Sequence, residues 1–371
     1  MGIYIVTVFL IFVLGYVDLR VQFTDLQRSR LIFFLYITIV IQIGLRWETG
    51  TDWKPYFENF QNTEGYDTVL INALLGFDLG YGTFVFVIKK LFDSYSFFLL
   101  LHAIIFYWSV FRTARKYSTY FFITVIFFYV TNLGYVGANR QLLAIAICLW
   151  SLDFVFERKL LKFIVTIGFA SLFHTTAFLF TVYYFLNRNF KTVTIVSVLI
   201  LSFIIGKTEL PFLIFSKFGL LFGEFAASKT SEYSEGAKDA LTEASLSFFG
   251  LIKRLSAIAI FTYNYSFLTK RLAYYKVLYN GYVLGMVIYF LFGSSLLILV
   301  NRGSMYFNIM ESFLISCQFL VLQKRLDKAY LFIVFLFISI LFLFQSISGY
   351  PELFDPYKGI FYNKDFVRNM F

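Results

Sequence analysis

Residues 163–186 read FIVTIGFASLFHTTAFLFTVYYFL, and this stretch decides how the chain is threaded through a bilayer. It is apolar apart from a polar Phe-His-Thr-Thr step at its centre, around His174. Each half, at about 1.5 Å per helical residue, is shorter than the roughly 30 Å hydrocarbon core of a membrane. The stretch therefore predicts two short helices that form a broken or re-entrant pair folding back at His174.

The rest of the chain is equally typical of a membrane protein. The full sequence is 59% hydrophobic and 15% charged, against roughly 25% charged residues in soluble domains. These values predict an all-α, polytopic transmembrane bundle. The number of apolar segments, with the fold-back at His174, predicts about 11–12 membrane segments. The apolar segments lie at 3–17, 31–45, 95–111, 119–135, 139–156, 163–186, 192–206, 246–268, 277–300, 303–322 and 329–346.

Short basic clusters between these segments set the expected orientation, because Lys and Arg concentrate in cytoplasmic loops. The clusters are Arg20, Arg28 and Arg30; Arg112, Arg115 and Lys116; Arg158, Lys159 and Lys162; Lys270, Arg271 and Lys276; Lys324, Arg325 and Lys328. If every segment crossed once, the last two clusters would lie outside, whereas a fold-back at His174 places all five inside. We expect a single membrane domain, 1–371, with outer stretches 46–94 and 207–245 and an outer tail 347–371.

Several functions are excluded by what the sequence lacks. The net charge of +10 comes from residues that flank apolar segments, so nucleic acid is not an expected partner. The sequence contains no Walker A motif, no HExxH motif and no paired Cys ligands, so it supports no nucleotide-driven transport and indicates no metal site and no cofactor, while assistance by a divalent ion stays open. Any reaction must therefore use a substrate that arrives already activated.

The first outer stretch begins GLRWETGTDWKPYFENF and carries several reactive side chains just beyond the second apolar segment. These are Arg46, Glu48, Asp52 and Tyr56. Thr51 or Asp52 can cap a short helix that starts at Trp53. A simpler reading is a capped interfacial helix with a snorkelling arginine.

Two arginines stand where apolar segments begin at the outer face. Asn139 can cap the helix that carries Arg140, and Ser304 can cap the helix that follows Arg302. Two guanidinium groups at two positive helix ends suit a diphosphate, although each arginine alone is more often an interface anchor. Arg254, deep in segment 246–268, needs a partner or a watery cavity, unless that span starts later.

Taken together, these residues resemble the EpsG family of Wzy-like polysaccharide polymerases. The resemblance rests on Arg46-x5-Asp52-x3-Tyr56, Asp78-Leu-Gly-Tyr81, Arg140-Gln141, Phe173-His174, Arg302 with Tyr306, and Pro356-Tyr357. The chain departs from the family pattern at Thr175, where the family often has Pro, and at Asp78, where it often has Glu.

The resemblance implies a GT-C-like glycosyltransferase in the bacterial cytoplasmic (inner) membrane, with its active site facing the periplasm. It would join repeat units of an exopolysaccharide, capsule or O-antigen that arrive linked to undecaprenyl diphosphate. A flippase and a chain-length regulator would be partners, besides membrane lipid. Arg140 and Arg302 would stabilise the departing diphosphate, with Arg46 and Arg254 as further candidates.

The same resemblance suggests the remaining roles. Asp52, or else Glu48 or His174, would accept the proton of the attacking sugar hydroxyl. Tyr56 and Tyr357 would line the sugar groove, and the pattern adds Asp78, Gln141 and Tyr306 as substrate-binding residues. A flippase of lipid-linked sugars and an O-antigen ligase remain alternatives, as does an O-acetyltransferase that would use His174 as base; a His that only caps the broken helix is the simpler reading of that residue.

Overall fold

The fold is helical throughout the part of the chain that the computed structural model describes, which is residues 1–361 without 22, 75, 222–247, 295–299 and 301. In those residues the only extended pairing is a single β-bridge between Arg46 and Gly359. The expected all-α class is therefore confirmed. Two compact units form: Met1–Thr181 together with Ile315–Phe371, called the first unit, and Val182–Leu314, called the second unit. The expectation of one domain over 1–371 stays a prediction.

Seventeen α-helices follow one another in the described residues. They are α1 Gly2–Arg20, α2 Asp25–Gly44, α3 Trp53–Asn62, α4 Tyr66–Leu74, α5 Leu79–Leu91, α6 Tyr95–Tyr117, α7 Phe121–Asn132, α8 Asn139–Phe156, α9 Leu160–Ser171, α10 Thr192–Gly206, α11 Leu210–Leu221, α12 Phe248–Tyr263, α13 Tyr265–Thr269, α14 Tyr275–Phe292, α15 Met305–Asn308, α16 Met310–Gln318 and α17 Arg325–Ile347. Short 3₁₀-helices lie at Leu133–Tyr135, Thr175–Phe185 and Pro351–Leu353.

Six of these helices, α1, α2, α6, α8, α14 and α17, are long and apolar enough to cross a membrane. Shorter apolar helices cover Phe121–Tyr135, Leu160–Ser171, Thr175–Phe185 and Thr192–Gly206. The chain is thus a multi-pass membrane protein. The predicted segments 139–156 and 192–206 coincide with α8 and α10, whereas 246–268 and 303–322 are each divided between two helices.

The helix is broken at the position that the sequence predicts. The α-helix α9 ends at Ser171, and a 3₁₀-helix begins at Thr175. Between them, the backbone N–H of His174 still bonds to the carbonyl of Ala170 at 3.2 Å, which closes the last turn of α9. The break at residues 172–174 is therefore observed, while the number of membrane crossings that it makes stays a prediction.

The stretch 46–94 is more ordered than the outer loop that its polarity suggests. It folds into α3, α4 and α5, of which the sequence predicted only the start of α3 at Trp53. In α3 one face is buried, through Trp53, Tyr56 and Phe60. Such short amphipathic helices are hard to predict because their stability comes from tertiary packing. In the stretch 207–245, α11 is described but 222–247 lie outside the described residues, as do 362–371 of the tail.

Polar contacts gather the basic clusters of the first unit at one end of its helices, called the basic end. Arg28 pairs with Asp18 at 2.5 Å, Lys116 pairs with Asp153 at 2.9 Å, and Lys328 donates to the Tyr120 hydroxyl at 2.7 Å. Helices α1, α6 and α8 end there, and α2, α7 and α17 begin there. The opposite end of these helices, called the site end, holds Arg46 and the N-terminus of α8.

Candidate functional site

Arg140, in the first turn of α8, is the centre of a polar cluster at the site end. Its Nη1 donates to Asp78 Oδ2 at 3.1 Å and to the carbonyl of Gly76 at 3.4 Å, and its Nε donates to the Tyr56 hydroxyl at 3.3 Å. The guanidinium carbon also lies 4.8 Å from the centroid of the Phe77 ring. The arginine side chain remains 19% exposed. The site therefore presents a cation that is fixed by three hydrogen bonds and remains partly exposed.

Asp78 reaches Arg140 because the start of α5 packs directly on the break after α9. The N–H of Gly80 donates to the carbonyl of Leu172 at 2.7 Å, and a Cβ at Gly80 would lie 2.7 Å from the Leu172 Cβ, closer than real side chains allow. The absence of a side chain thus permits this approach. It brings Asp78 to Thr175, whose N–H and Oγ1 donate to Asp78 Oδ1 at 3.3 and 3.0 Å.

In this cluster, burial raises the pKa of Asp78 and of Tyr56, and the positive charge of Arg140 lowers both pKa values. Burial raises the pKa of the Asp78 carboxyl, and the Arg140 charge and the Thr175 hydrogen bonds oppose that rise. Burial likewise raises the pKa of the Tyr56 phenol; Arg140 lowers it, and the carboxylate of Asp52 raises it further. Asp52 is therefore close enough to Tyr56 to act electrostatically on this cluster.

Asp52 occupies the cap position of α3, as expected, but its side chain makes no capping hydrogen bond. The side chain is partly exposed. Among the described residues none donates a hydrogen bond to its carboxylate. Asp52 thus offers a carboxylate beside Tyr56 that is not committed to a structural contact.

Arg46 forms a second group, which is buried and adjoins the first. Its Nη1 donates to the carbonyl of Ile43 at 2.8 Å, and its Nη2 donates to the carbonyl of Val136 at 3.0 Å and to Asn139 Oδ1 at 2.8 Å. Only 2% of the residue is exposed, and burial lowers the pKa of its guanidinium. In this structure Arg46 ties the end of α2 to the start of α8, next to Arg140.

The C-terminal segment completes this second group. Lys358 Nζ forms a buried ion pair with Glu48, and the Tyr357 hydroxyl donates to the carbonyl of Gln42 at 2.6 Å. Backbone hydrogen bonds join the same segment to the chain around Arg46, where the N–H of Trp47 donates to the carbonyl of Lys358 at 2.9 Å. The expected neighbours Arg46, Glu48 and Tyr357 are therefore brought together, with Glu48 engaged by a lysine.

Like Asp52, the other two predicted cap residues, Asn139 and Ser304, make no capping hydrogen bond. Asn139 is the first residue of α8, not its cap, and the cap position is taken by Ala138 without a side-chain hydrogen bond. The Asn139 amide oxygen accepts from Arg46 instead, so it is unavailable to the backbone. Ser304 does stand at the cap position of α15, but its hydroxyl donates back to the carbonyl of Val300 at 2.5 Å.

His174 and Gln141 are in the first unit, and each is the sequence neighbour of a residue already described, Thr175 and Arg140 respectively. The N–H of Thr176 donates to His174 Nδ1 at 3.4 Å, and the Thr176 hydroxyl lies 2.6 Å from the same atom. Because a backbone N–H can only donate, Nδ1 is an acceptor, and the neutral ring carries its proton on Nε2. Gln141 is buried in the first turn of α8.

The remaining predicted residues belong to the second unit. Arg254 lies in α12, with its guanidinium carbon 4.1 Å from the centroid of the Tyr289 ring. Arg302 is half-buried just before α15, and Tyr306 is buried within that helix. The expectation that these residues act together with Arg140 stays a prediction.

Sequence reasoning missed three residues that shape the first unit's polar groups. Thr175 holds Asp78, Lys358 pairs with Glu48, and His102 Nε2 lies 2.9 Å from the carbonyl of Asn139. A signal existed for Thr175, because Thr175 and Asp78 are the two departures from the family pattern and they contact each other. For Lys358 and His102 no local pattern indicates the distant partner.

Among the described residues, no group of three His, Cys, Asp or Glu side chains could hold a metal ion. A search of curated proteins and a search of solved structures each gave no match. The model of the EpsG family matches residues 29–358, which include Arg46, Asp78, Arg140 and Tyr357. The chain therefore belongs to the EpsG family, a family of Wzy-like polysaccharide polymerases.

Proposed function

We propose that the chain transfers a growing glycan from undecaprenyl diphosphate to a sugar hydroxyl of another lipid-linked repeat unit. The observation that carries the proposal is the Arg140 cluster at the positive end of α8, opposite the basic end of the first unit. A guanidinium and the N-terminus of a long helix both favour a bound anion. A lipid diphosphate is the anion that this family's polymerase chemistry would supply.

The proposal places the reaction on the outer surface of the bacterial cytoplasmic membrane. Its support is the positive-inside rule, by which the basic end of the first unit faces the cytoplasm. The site end then faces the periplasm or exterior. Substrates would reach it after a flippase has turned them over, and a chain-length regulator would act on the product.

Arg140 would act on the leaving group. As the bond between the glycan C1 and the diphosphate oxygen breaks, negative charge grows on the phosphate, and a fixed cation stabilises the transition state more than the ground state. Arg140 is held by Asp78, Gly76 and Tyr56, so it would not need to reorganise when the charge develops. The guanidinium is partly exposed, so a bound phosphate could contact it.

Asp52 would be the base. The attacking hydroxyl oxygen forms a bond to C1, its proton passes to the carboxylate of Asp52, and the lipid diphosphate departs with the electron pair of the broken bond. Glu48 is already paired with Lys358, and His174 Nδ1 already accepts from Thr176. Of the three proposed bases, Asp52 has the fewest competing contacts. The donor is already activated, so the reaction needs no nucleotide sugar.

The test is a polymerisation assay with purified protein in liposomes and a lipid-linked repeat unit as the only sugar source. We expect a ladder of products of increasing length. Transfer of one unit to a different acceptor would indicate a ligase, and movement across the bilayer without a new bond would indicate a flippase. Either result would reject the proposal.

The cap residue of α3, Asp52, and an acid within the helix, Glu58, provide a matched pair for the role of the base. Asp52→Asn should abolish the ladder, whereas Glu58→Gln should not, since Glu58 is exposed and pairs only with Lys54 at 3.9 Å. Equal activity of the two variants would exclude Asp52 as the base.

A further inference from the structure

The second unit contains an apolar groove, of about 650 Å³, that the reaction site in the first unit does not use. Three helices line it: α10, α12 and α14. The residues of α12 that face it include Leu251, Leu255, Ile258 and Thr262. Their spacing of three and four residues places them on one face of the helix.

The groove has the length of a lipid chain segment. From Leu251 to Tyr263 it follows α12 for roughly 18 Å, at about 1.5 Å per residue. Half of the hydrocarbon core of a bilayer is about 15 Å thick. The volume also falls within the range of roughly 300–1,000 Å³ that is usual for ligand sites. The groove can therefore hold an extended apolar chain over the depth of one leaflet.

Arg254 carries a charge on α12 beside the groove residues, although it does not itself line the groove. It stands between Leu251 and Leu255 in sequence, and its guanidinium stacks on Tyr289, the neighbour of the groove residue Phe290. Its Nη1 donates to the carbonyl of Gly250 at 3.2 Å. Among the described residues no carboxylate lies within 4.0 Å of its nitrogens.

Among the described residues, Glu311 is an acid that shares the surroundings of Arg254. Both Arg254 and Glu311 interact electrostatically with the buried hydroxyl of Tyr282, which has no hydrogen-bond partner among the described side chains and backbone. Glu311 does not form an ion pair with Arg254. A cation inside an apolar helix is costly unless an anion or water accompanies it. The position thus favours an anionic group next to an apolar chain.

We infer that the second unit binds the isoprenoid chain of a lipid diphosphate in this groove, with the diphosphate at Arg254. The inference rests on the proposed function, because a polymerase that joins two lipid-linked units must hold two such chains. The groove begins at Leu251, one turn before Arg254, and follows α12 to its last residue, Tyr263; the chain then leads to the basic residues Lys270 and Arg271. This direction is the one in which a chain descends from an outer head group into the bilayer.

A matched pair of variants on α12 tests the groove. Ala259 lines it, whereas its neighbour Ile260 is 50% exposed and does not line it. The probe is sugar-free undecaprenyl diphosphate, and its binding to purified protein in detergent is measured by native mass spectrometry. We expect Ala259→Trp to weaken binding at least tenfold and Ile260→Trp to leave it unchanged. Arg254→Gln should weaken binding of the diphosphate more than binding of undecaprenol, the uncharged alcohol.

Three outcomes would overturn the inference: unchanged binding in Ala259→Trp, an equal loss in Ile260→Trp, or displacement of the probe by an equimolar phospholipid. The last would identify the groove as a site for ordinary bilayer lipid. The two hypotheses can fail separately. A normal product ladder from Ala259→Trp would reject the groove and keep the polymerase. Probe binding that depends on Ala259 and Arg254, in a protein that forms no ladder, would keep the groove and reject the polymerase.

Discussion

At the scale of single residues, the geometry of Arg140 should matter as much as its charge. Arg140→Lys keeps the charge but cannot reach Asp78, Gly76 and Tyr56 with one planar group. We expect turnover to fall about 100-fold, as for other losses of a fixed transition-state donor. The measurement is the initial rate of ladder formation at matched protein levels.

The control is Arg115→Lys at the basic end, where Arg115 only reaches Ser29 at 3.4 Å. It should retain full activity. If the two variants behave alike, Arg140 is an interface anchor and has no part in the reaction.

Asp78 should leave a signature in the pH dependence of stability. Burial raises its pKa above the ordinary 3.8, so the folded protein holds a proton to higher pH than the unfolded chain does. The protonated form therefore contributes stability that is lost as pH rises through the folded-state pKa. Compared with Asp78→Asn, which does not titrate, the wild type should lose thermal stability as pH rises from about 4. A gain in thermal stability over the same pH range would mean that the Arg140 charge and the Thr175 hydrogen bonds lower the pKa of Asp78 more than burial raises it.

At the scale of elements, the contact between α5 and the break after α9 should depend on Gly80. An alanine there would place its Cβ 2.7 Å from the Leu172 side chain and 2.8 Å from the Leu172 carbonyl oxygen. We expect Gly80→Ala to lower both the melting temperature and the polymerisation rate, because Asp78 moves with α5. Gly168→Ala is the control: it lies in α9 with nothing within 4 Å, so it should be neutral or stabilise by up to about 1 kcal/mol.

The C-terminal segment should be held mainly by the buried pair of Lys358 and Glu48. Lys358→Met leaves the Glu48 carboxylate buried without its cation, which typically costs about 3–5 kcal/mol. The double variant Glu48→Gln/Lys358→Met should recover most of this loss, as measured by unfolding in detergent. Lys54→Met removes an exposed pair with Glu58 and should cost less than about 0.5 kcal/mol. Additive losses in the double variant would contradict the coupling.

Some features of the helices can be predicted from local sequence, and others cannot. The bounds of α8 and α10 follow from local hydrophobicity, and the break near His174 follows from a polar step inside an apolar run. The grouping of Tyr56, Asp78 and Arg140 was accessible only through the family pattern. The pairing of Lys358 with Glu48 joins residues 310 positions apart, and no periodicity within either segment encodes such a distant partner.

At the scale of the whole molecule, the contacts of the first unit limit how many times the chain can cross the membrane. Lys159 follows the end of α8, and Lys328 lies in the first turn of α17; both helix ends are at the basic end. The chain between them must therefore cross the membrane an even number of times. The sequence contains five apolar segments in that interval, so one of them cannot be a single crossing. The segment 163–186, broken at residues 172–174, is the one that we expect to return to its own side.

Cysteine labelling in whole cells tests this expectation at three exposed positions: Lys54 on α3, Lys159 after α8, and Arg188 after the broken segment. The background replaces Cys148 and Cys317, both buried, with alanine. A membrane-impermeant maleimide should label Lys54→Cys in intact cells, and Lys159→Cys and Arg188→Cys only after permeabilisation. If Arg188→Cys labels together with Lys54→Cys, the segment 163–186 crosses once, and another of the five segments must supply the even number. If Lys54→Cys is protected, the Arg140 cluster faces the cytoplasm, and a substrate on the outer leaflet could not reach it.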